Sequence, residues 1–228
     1  MMEKKEEALP KCPDGLSLEY RKEGLTLTGE GMELLGDFLS MLPRLKKSNL
    51  EREMLLKAAK LKGEGPFKVI DATAGMGEDS LILAAGGYRV EMYEKDPIIA
   101  ALLRDCLERA KKDPQLQQIA ERMQLLEEDS IEAMKKSDGA DIILLDPMFP
   151  SRSKSALIKK KFQLLQKLER PCGNEEELLE AAIALHPRKI VIKRPVKGPY
   201  LAGRKPDYSL SGKAIRYDCI VFAPTEKK

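Results

Sequence analysis

The segment KVIDATAGMGEDSLILAA, residues 68–85, contains a short apolar run, a turn with two glycines and a stretch of helix-forming residues. A strand, a glycine turn and a helix in this order are typical of nucleotide-binding sites in parallel α/β sheets. Gly75 and Gly77 would let backbone amides approach a ligand closely, and the N-terminus of the following helix favours an anionic group. Glycines also serve ordinary tight turns, so the segment alone leaves that simpler interpretation open.

Further apolar runs follow this segment, and helix-forming sequence separates each run from the next. They occupy residues 88–94, 123–127, 141–146 and 189–193. Strands that alternate with helices predict an α/β fold with a doubly wound, mostly parallel sheet. The alternating apolar residues of 214–222 predict a final antiparallel strand near the edge of that sheet.

The part of the chain before residue 63 has a different pattern. Apolar residues alternate with polar ones in 16–20 and in 25–27, which predicts a short antiparallel hairpin. Residues 32–61 place apolar residues at helical spacing around Pro43, which predicts a helix, a break and a second helix. We therefore expect a small N-terminal lobe, residues 1–62, followed by the main domain, residues 63–228.

The composition restricts the class of protein. With 228 residues, 43% of them hydrophobic, the chain can bury one main core. The 40 Lys and Arg residues nearly balance the 37 Asp and Glu residues, so the net charge is only a weak hint of a polyanionic partner. No apolar run reaches the roughly 18 residues that span a bilayer, and the four cysteines lack the spacing of a zinc site. We expect a soluble, cytoplasmic protein with no metal and no membrane contact.

Acidic residues stand at the carboxyl ends of the first three strands of the predicted sheet. Asp71 ends the first strand. Glu94 ends the second, about twenty residues after the glycine turn, where dinucleotide and adenosyl folds bind ribose hydroxyls. Asp129 and Ser130 follow the third strand, where they could accept from an adenine amino group or cap the next helix. These positions predict a nucleotide-like cofactor at this edge of the sheet.

The fourth strand runs into Asp146-Pro147-Met148-Phe149, the most specific segment of the chain. This turn resembles the signature of amino-group methyltransferases, in which a carboxylate and a backbone carbonyl accept the two hydrogens of an exocyclic amine. In that interpretation Asp146 and Pro147 orient the amine, and the ring of Phe149 stacks on the base, a contact that contributes about 1–3 kcal/mol. The simpler interpretation of Phe149 is core packing.

Basic residues follow this turn and recur after the fifth strand, in loops that we expect to flank the same edge of the sheet. Around one pocket they would neutralise phosphates and give salt-dependent RNA affinity, whereas scattered charges would only aid solubility. The candidates for RNA contact are Arg152, Lys154, Lys159, Lys160, Lys193, Arg194 and Lys197.

From Asp71 onward the motifs resemble one family, the RsmJ-type 16S ribosomal RNA guanine-N2 methyltransferases of bacteria. The resemblance rests on DATAGMGEDSLILA (71–84), MYEKDPIIAALLRDCLERA (92–110), DIILLDPMFPSRSKSALIKKKFQLLQKL (141–168) and KIVIKRPVKGPYLAG (189–203). It implies a Rossmann-like class I methyltransferase fold, S-adenosylmethionine as cofactor, and a guanosine of small-subunit ribosomal RNA, free or in the assembled subunit, as substrate. It also implies cofactor contacts at Glu78, Asp79, Glu94, Lys95, Asp129, Ser130 and Asp146.

Other functions stay open at this point. The Asp-Pro-x-Phe turn specifies an amine better than a polymer, so another RNA, DNA or a protein could be the substrate. A non-catalytic RNA-binding protein could retain the same fold, and cofactor binding would separate it from an enzyme. A nicotinamide oxidoreductase is disfavoured, because the first turn lacks the complete G-x-G-x-x-G spacing.

Overall fold

The computed structural model describes residues 9–147, 164, 168 and 174–223. The strands are β1 (Leu16–Arg21), β2 (Gly24–Gly29), β3 (Met32–Leu35), β4 (Lys68–Asp71), β5 (Arg89–Tyr93), β6 (Met123–Leu126), β7 (Ile142–Leu145), β8 (Lys189–Pro195), β9 (Tyr208–Ser211) and β10 (Ile215–Val221). The helices of these residues are α1 (Leu42–Leu45), α2 (Lys47–Leu50), α3 (Met54–Ala59), α4 (Glu78–Ala85), α5 (Pro97–Lys112), α6 (Gln117–Ala120), α7 (Ser130–Met134) and α8 (Glu175–Ala184), with 3₁₀ turns at Leu39–Met41 and Leu201–Gly203. None of these helices is long and apolar enough to cross a membrane.

Seven strands form the main sheet, in the order β6-β5-β4-β7-β8-β10-β9. The pairs β6–β5, β5–β4, β4–β7 and β7–β8 are parallel, whereas β10 runs antiparallel to both β8 and β9. The predicted doubly wound sheet with an antiparallel strand near its edge is therefore confirmed. The strand order reverses between β4 and β7, and in such sheets ligands bind at the carboxyl ends of the strands beside that reversal.

Strand β7 lies at the centre of the sheet because all four of its residues are apolar. Ile142 and Leu144 belong to the hydrophobic cluster on one face of the sheet, and Ile143 and Leu145 belong to the cluster on the other. Side chains of a strand alternate between the two faces, so a continuous apolar run suits a strand that is covered on both sides.

A second, three-stranded antiparallel sheet has the order β1-β2-β3. The predicted hairpin of β1 and β2 is confirmed. The prediction of helix from residue 32 is wrong for residues 32–35, which form β3. Glu30 and Gly31 have φ angles of 51° and 70°, and two successive residues with positive φ form the tight turn that joins antiparallel strands.

Residues 39–59 form short helical segments rather than the two longer helices predicted. Pro43 lies in the first turn of α1 and so helps to begin a helix instead of interrupting one. Extended backbone at Lys46 and Glu53, with ψ angles of 139° and 121°, separates α1 from α2 and precedes α3.

The elements before residue 63 share their cores with the elements after it. Leu25 and Leu27 of β2 pack in one cluster with residues of α5. Phe38 and Leu55 belong to the same cluster as Val69 of β4. The division into a lobe, residues 1–62, and a domain, residues 63–228, stays a prediction.

Candidate active site at the carboxyl edge of the sheet

A cavity of about 300 Å³ opens at the carboxyl ends of β4 and β7, where the strand order reverses. The glycine turn after β4 forms one side of this cavity, and residues 34–38 form another. Arg109 of α5 holds residues 34–38 in place by donating a hydrogen bond to the carbonyl of Gly36. No pattern in 34–38 had marked this wall, because only the packing of the N-terminal segment on α5 brings it to the site.

Backbone conformation and close packing both favour glycine in the turn after β4. Gly75 and Gly77 have φ angles of 53° and 74°, and a Cβ on Gly77 would lie 2.7 Å from Cδ1 of Leu103. Both amides donate inside the protein, Gly75 to Oε2 of Glu94 at 3.0 Å and Gly77 to the carbonyl of Ala74 at 2.8 Å. Both amides thus have partners within the protein, and the predicted close approach of this turn to a ligand stays a prediction.

Asp71 ties strand β4 to the turn and to helix α4. Its carboxylate is buried and accepts from the hydroxyl of Ser80 at 2.6 Å and from the amide of Thr73 at 3.2 Å. The hydroxyl of Thr73 accepts in turn from the amide of Asp146 at 2.7 Å. Burial raises the pKa of Asp71 to about 7, against the opposing effect of the Ser80 hydrogen bond. The ends of β4 and β7 are thus linked through Asp71 and Thr73.

Glu94 links the first two loops of the sheet edge. Its Oε2 accepts from the amide of Gly75 at 3.0 Å, and its Oε1 accepts from the amide of Asp96 at 2.8 Å. Burial raises the pKa of Glu94, and these two backbone hydrogen bonds oppose that shift. Each carboxylate oxygen has a second lone pair, so the predicted contact with ribose hydroxyls stays compatible with this geometry.

Asp129 begins helix α7. Its Oδ1 accepts from the amide of Ile131 at 2.9 Å, which confirms the helix-cap interpretation. Its Oδ2 lies 3.3 Å from the ammonium of Lys95. The predicted cofactor contacts of Asp129, Ser130, Lys95 and Glu78 stay predictions.

Three charged side chains meet in the cavity. The ammonium of Lys193, on β8, lies 2.6 Å from Oδ2 of Asp79 and 2.9 Å from Oδ2 of Asp146. Burial raises the pKa of Asp146, whereas the charge of Lys193 lowers it. Burial also works to lower the pKa of Lys193, but the two carboxylates outweigh that effect and the pKa is raised. Lys193 was predicted to contact RNA, yet the structure brings it together with the candidate catalytic carboxylate.

The remaining candidates fall into three groups. Pro147 is buried directly after Asp146. Phe149, Arg152, Lys154, Lys159 and Lys160 lie outside the described residues. Lys197 is exposed in the loop that follows β8.

Arg194 does not fit the prediction of an RNA contact, because its side chain is fully buried. It donates to the carbonyl of Pro199 at 3.2 Å and to Glu175 at 3.3 Å. Arg216 donates to the carbonyls of Pro195, Val196 and Gly198 at 2.8–2.9 Å. The two arginines hold the loop 195–200 from inside. The sequence alone does not show which arginines donate to buried backbone carbonyls and which are exposed to a ligand.

Within the described ranges, no group of three or more His, Cys, Asp and Glu side chains could hold a metal ion.

The chain was then compared with known proteins. The family model described as "Putative SAM-dependent methyltransferase" matches residues 6–222. A protein named ribosomal RNA small subunit methyltransferase J from Pseudomonas aeruginosa is 46% identical over 168 residues, which are 73% of this chain and 64% of the relative. One of the same name from Thioalkalivibrio sulfidiphilus is 41% identical over 181 residues, or 78% of this chain and 71% of the relative.

Among solved structures, a SAM-dependent methyltransferase from Neisseria gonorrhoeae superimposes with a TM-score of 0.73 and 30% identity, covering 93% of this chain and 86% of that one. This chain spans 64% of the length of the Pseudomonas relative, less than two thirds of it. The match of the family model to nearly all of the chain, together with these similarities, assigns the chain: it belongs to the family of SAM-dependent methyltransferases.

Proposed function

We propose that this protein transfers a methyl group from S-adenosylmethionine to the N2 amino group of a guanosine in small-subunit ribosomal RNA. The observation that carries the proposal is the placement of Asp146 and Pro147. Both follow β7 directly, and Asp146 lines the cavity with 40% of its side chain exposed. The names of the relatives support small-subunit ribosomal RNA as the substrate. From this proposed substrate we infer that the protein acts in the cytoplasm.

The residues of the site fit the cofactor in their chemistry. S-adenosylmethionine carries an ammonium, a carboxylate, a sulfonium and two ribose hydroxyls. The cavity presents the carboxylates of Asp79 and Asp146 and the ammonium of Lys193, so a zwitterion finds partners of both signs. When bound, the cofactor supplies an electrophilic methyl group. We assign it to Asp71, Gly75, Gly77, Glu78, Asp79, Glu94, Lys95, Asp129, Ser130 and Asp146.

The chemical task of the protein is to make a poor nucleophile react. The lone pair of an exocyclic amine is delocalised into the base, and acceptors that bind both of its hydrogens favour a more tetrahedral nitrogen. The carboxylate of Asp146 and the carbonyl of Pro147 can act as these two acceptors. Holding the nitrogen in line with the methyl group supplies most of the remaining rate enhancement. The nitrogen loses one proton after the transfer, and the carboxylate of Asp146 is placed to accept it.

An open groove of about 470 Å³ supports a nucleic-acid substrate, because it adjoins the cavity and its charged residues, Arg44, Arg52 and Glu53, leave one positive charge in excess. The groove and the cavity share Arg44, Ile215 and Tyr217. Arg44 is paired with Glu53 at 2.5 Å, whereas Arg52 is exposed on the groove and has no ion pair within the described residues. If the target base of an RNA strand enters the cavity, a neighbouring phosphate of that RNA could pair with Arg52 in the groove.

The test is methyl transfer from labelled S-adenosylmethionine to small ribosomal subunits that lack their native modifications, with naked ribosomal RNA, DNA and protein in parallel. We expect N2-methylguanosine, identified by mass spectrometry, with the unmutated protein. The Asp146→Asn variant should lose about 10²–10³-fold in rate, as enzymes do when one group aimed at the reacting atoms is removed. The exposed Asp138→Asn, before the opposite end of β7, is the matched control and should retain full activity.

Two results would contradict this proposal. Methyl transfer to DNA or protein alone would show a different amine as substrate. Cofactor binding without transfer to any of these substrates would point to an RNA-binding protein that retains the fold.

A further inference from the structure

Lys193 lies beside the carboxylate of Asp146 at the carboxyl edge of the sheet. In the parallel pairing of β7 with β8, Leu145 lies opposite Ile192, so the next residues, Asp146 and Lys193, emerge side by side at the carboxyl edge. On the other side of Lys193, Tyr217 of β10 is its antiparallel partner. The register of three strands therefore fixes where the lysine stands.

The contacts of Asp146 divide its carboxylate into two parts. Oδ2 faces the ammonium of Lys193 at 2.9 Å, and the backbone amide of Asp146 is held by Thr73 at 2.7 Å. Within the described part of the chain, no group donates a hydrogen bond to Oδ1. One oxygen is thus held by the protein, and the other remains available to a substrate amine.

Asp79 contacts the same ammonium as Asp146. Its Oδ2 lies 2.6 Å from the ammonium of Lys193, so two carboxylates share one partly buried cation. Carboxylates that share a site repel each other and favour protonation of one of them. Asp71, Arg44, Arg194 and Tyr217 are the other charged or titratable groups that act on this cluster. A protonated Asp146 would lose part of its capacity to accept hydrogens from an amine.

We propose that Lys193 is a positioning residue for methyl transfer: held between Asp79 and Asp146, it orients the Asp146 carboxylate and keeps Oδ1 available to accept a hydrogen of the target amine. This inference rests on the proposed function. It replaces the role in RNA binding that the sequence predicted for Lys193.

The test combines four variants with measurements over a range of pH. Lys193→Met removes the charge at similar length, Lys193→Arg retains it, and Asp79→Asn removes the competing carboxylate, alone and together with Lys193→Met. Cofactor affinity is measured for each variant by calorimetry, so that rates are compared at saturating cofactor.

For Lys193→Met we expect at least a tenfold loss of kcat/KM at neutral pH and an acid limb of the pH profile that moves to higher pH. Lys193→Arg should retain the profile of the unmutated protein. Adding Asp79→Asn to Lys193→Met should move the acid limb back toward lower pH, because a single carboxylate ionises more readily than two that share a site. A loss of structure alone would not be relieved by a second substitution.

A titration of the Asp146 carboxyl carbon by NMR, assigned with Asp146→Asn in cofactor-free protein, tests the inference without catalysis. Lys193→Met should raise the pKa of Asp146. An unshifted titration and an unshifted pH profile would overturn the inference, and a rise in KM for RNA alone would restore the RNA-binding role. If the unmutated protein methylates no RNA, the proposed function fails, and the titration still decides whether Lys193 holds Asp146.

Discussion

Three carboxylates at neighbouring strand ends serve different purposes because their surroundings differ. Asp71 is buried and hydrogen-bonded to Ser80 and Thr73. Glu94 joins two loops through backbone amides. Asp146 keeps part of its surface open to the cavity. The sequence marked all three as site residues, but it could not show that Asp71 organises the site from inside the protein.

The burial of Asp71 predicts a dependence of stability on pH. Its pKa rises from an ordinary 3.8 to about 7 on folding, so the folded state retains a proton that the unfolded chain releases. The stabilisation is complete below the unfolded pKa and is lost as the pH rises through the folded pKa. The free energy of unfolding should therefore fall between pH 4 and pH 7, by up to about 1.4 kcal/mol per pH unit from this group.

Urea unfolding of the cofactor-free protein at several pH values measures this slope. In Asp71→Asn the contribution should disappear, whereas the exposed Asp138→Asn should leave the slope unchanged. Equal slopes in the unmutated protein and in Asp71→Asn would rule out the proton uptake on folding.

At the scale of the element, the glycine turn shows how a motif can be recognised for one reason and required for another. Gly77 is the N-cap of α4 with φ at 74°, and a Cβ added there would lie 2.7 Å from Leu103 of α5 and 3.1 Å from Phe38. The turn therefore determines how α4 packs on the sheet, in addition to forming a wall of the cavity.

Gly77→Ala should destabilise the fold by about 2–4 kcal/mol, from a strained φ and from the clash with Leu103. Gly31→Ala is the matched control, since φ there is 70° and the space around an added Cβ is open. It should cost only the strain, about 1 kcal/mol. Chemical denaturation of both variants measures the difference, and equal losses would mean that packing against Leu103 contributes nothing.

At the scale of the whole molecule, charge is arranged locally although the net charge is only +3. The groove beside the cavity carries Arg44 and Arg52. In contrast, Arg194 and Arg216 are buried and donate hydrogen bonds to backbone carbonyls of residues 195–199. Among the described residues, fewer positive charges are therefore exposed near the site than the basic sequence after β8 indicates, and the groove is the best described candidate for the RNA path.

Arg52→Glu should weaken binding of ribosomal RNA several-fold at low salt and make the slope of log affinity against log salt shallower by about 0.7, the loss of one phosphate contact on a single strand. Lys112→Glu, at the end of α5 and at the opposite edge of the sheet, is the control. Affinity measured at several salt concentrations distinguishes the two. The same loss in both variants would indicate a general effect of charge and argue against the groove.

The sequence by itself determined the parallel α/β sheet and the edge where the site lies, because periodicity, glycine turns and strand-end carboxylates are local signals that survive in a linear chain. The point where the strand order reverses came from the structure. The sequence did not determine β3, the short helices of residues 39–59, the wall formed by residues 34–38 or the role of Lys193. These depend on which distant segments meet: Met32 pairs with Gly29 across a turn, Gly36 meets Arg109 of α5, and Lys193 meets Asp79 across 114 residues of chain. Only the tertiary structure decides such contacts, since the free energy of a charge or an apolar side chain depends on the neighbours that folding brings to it.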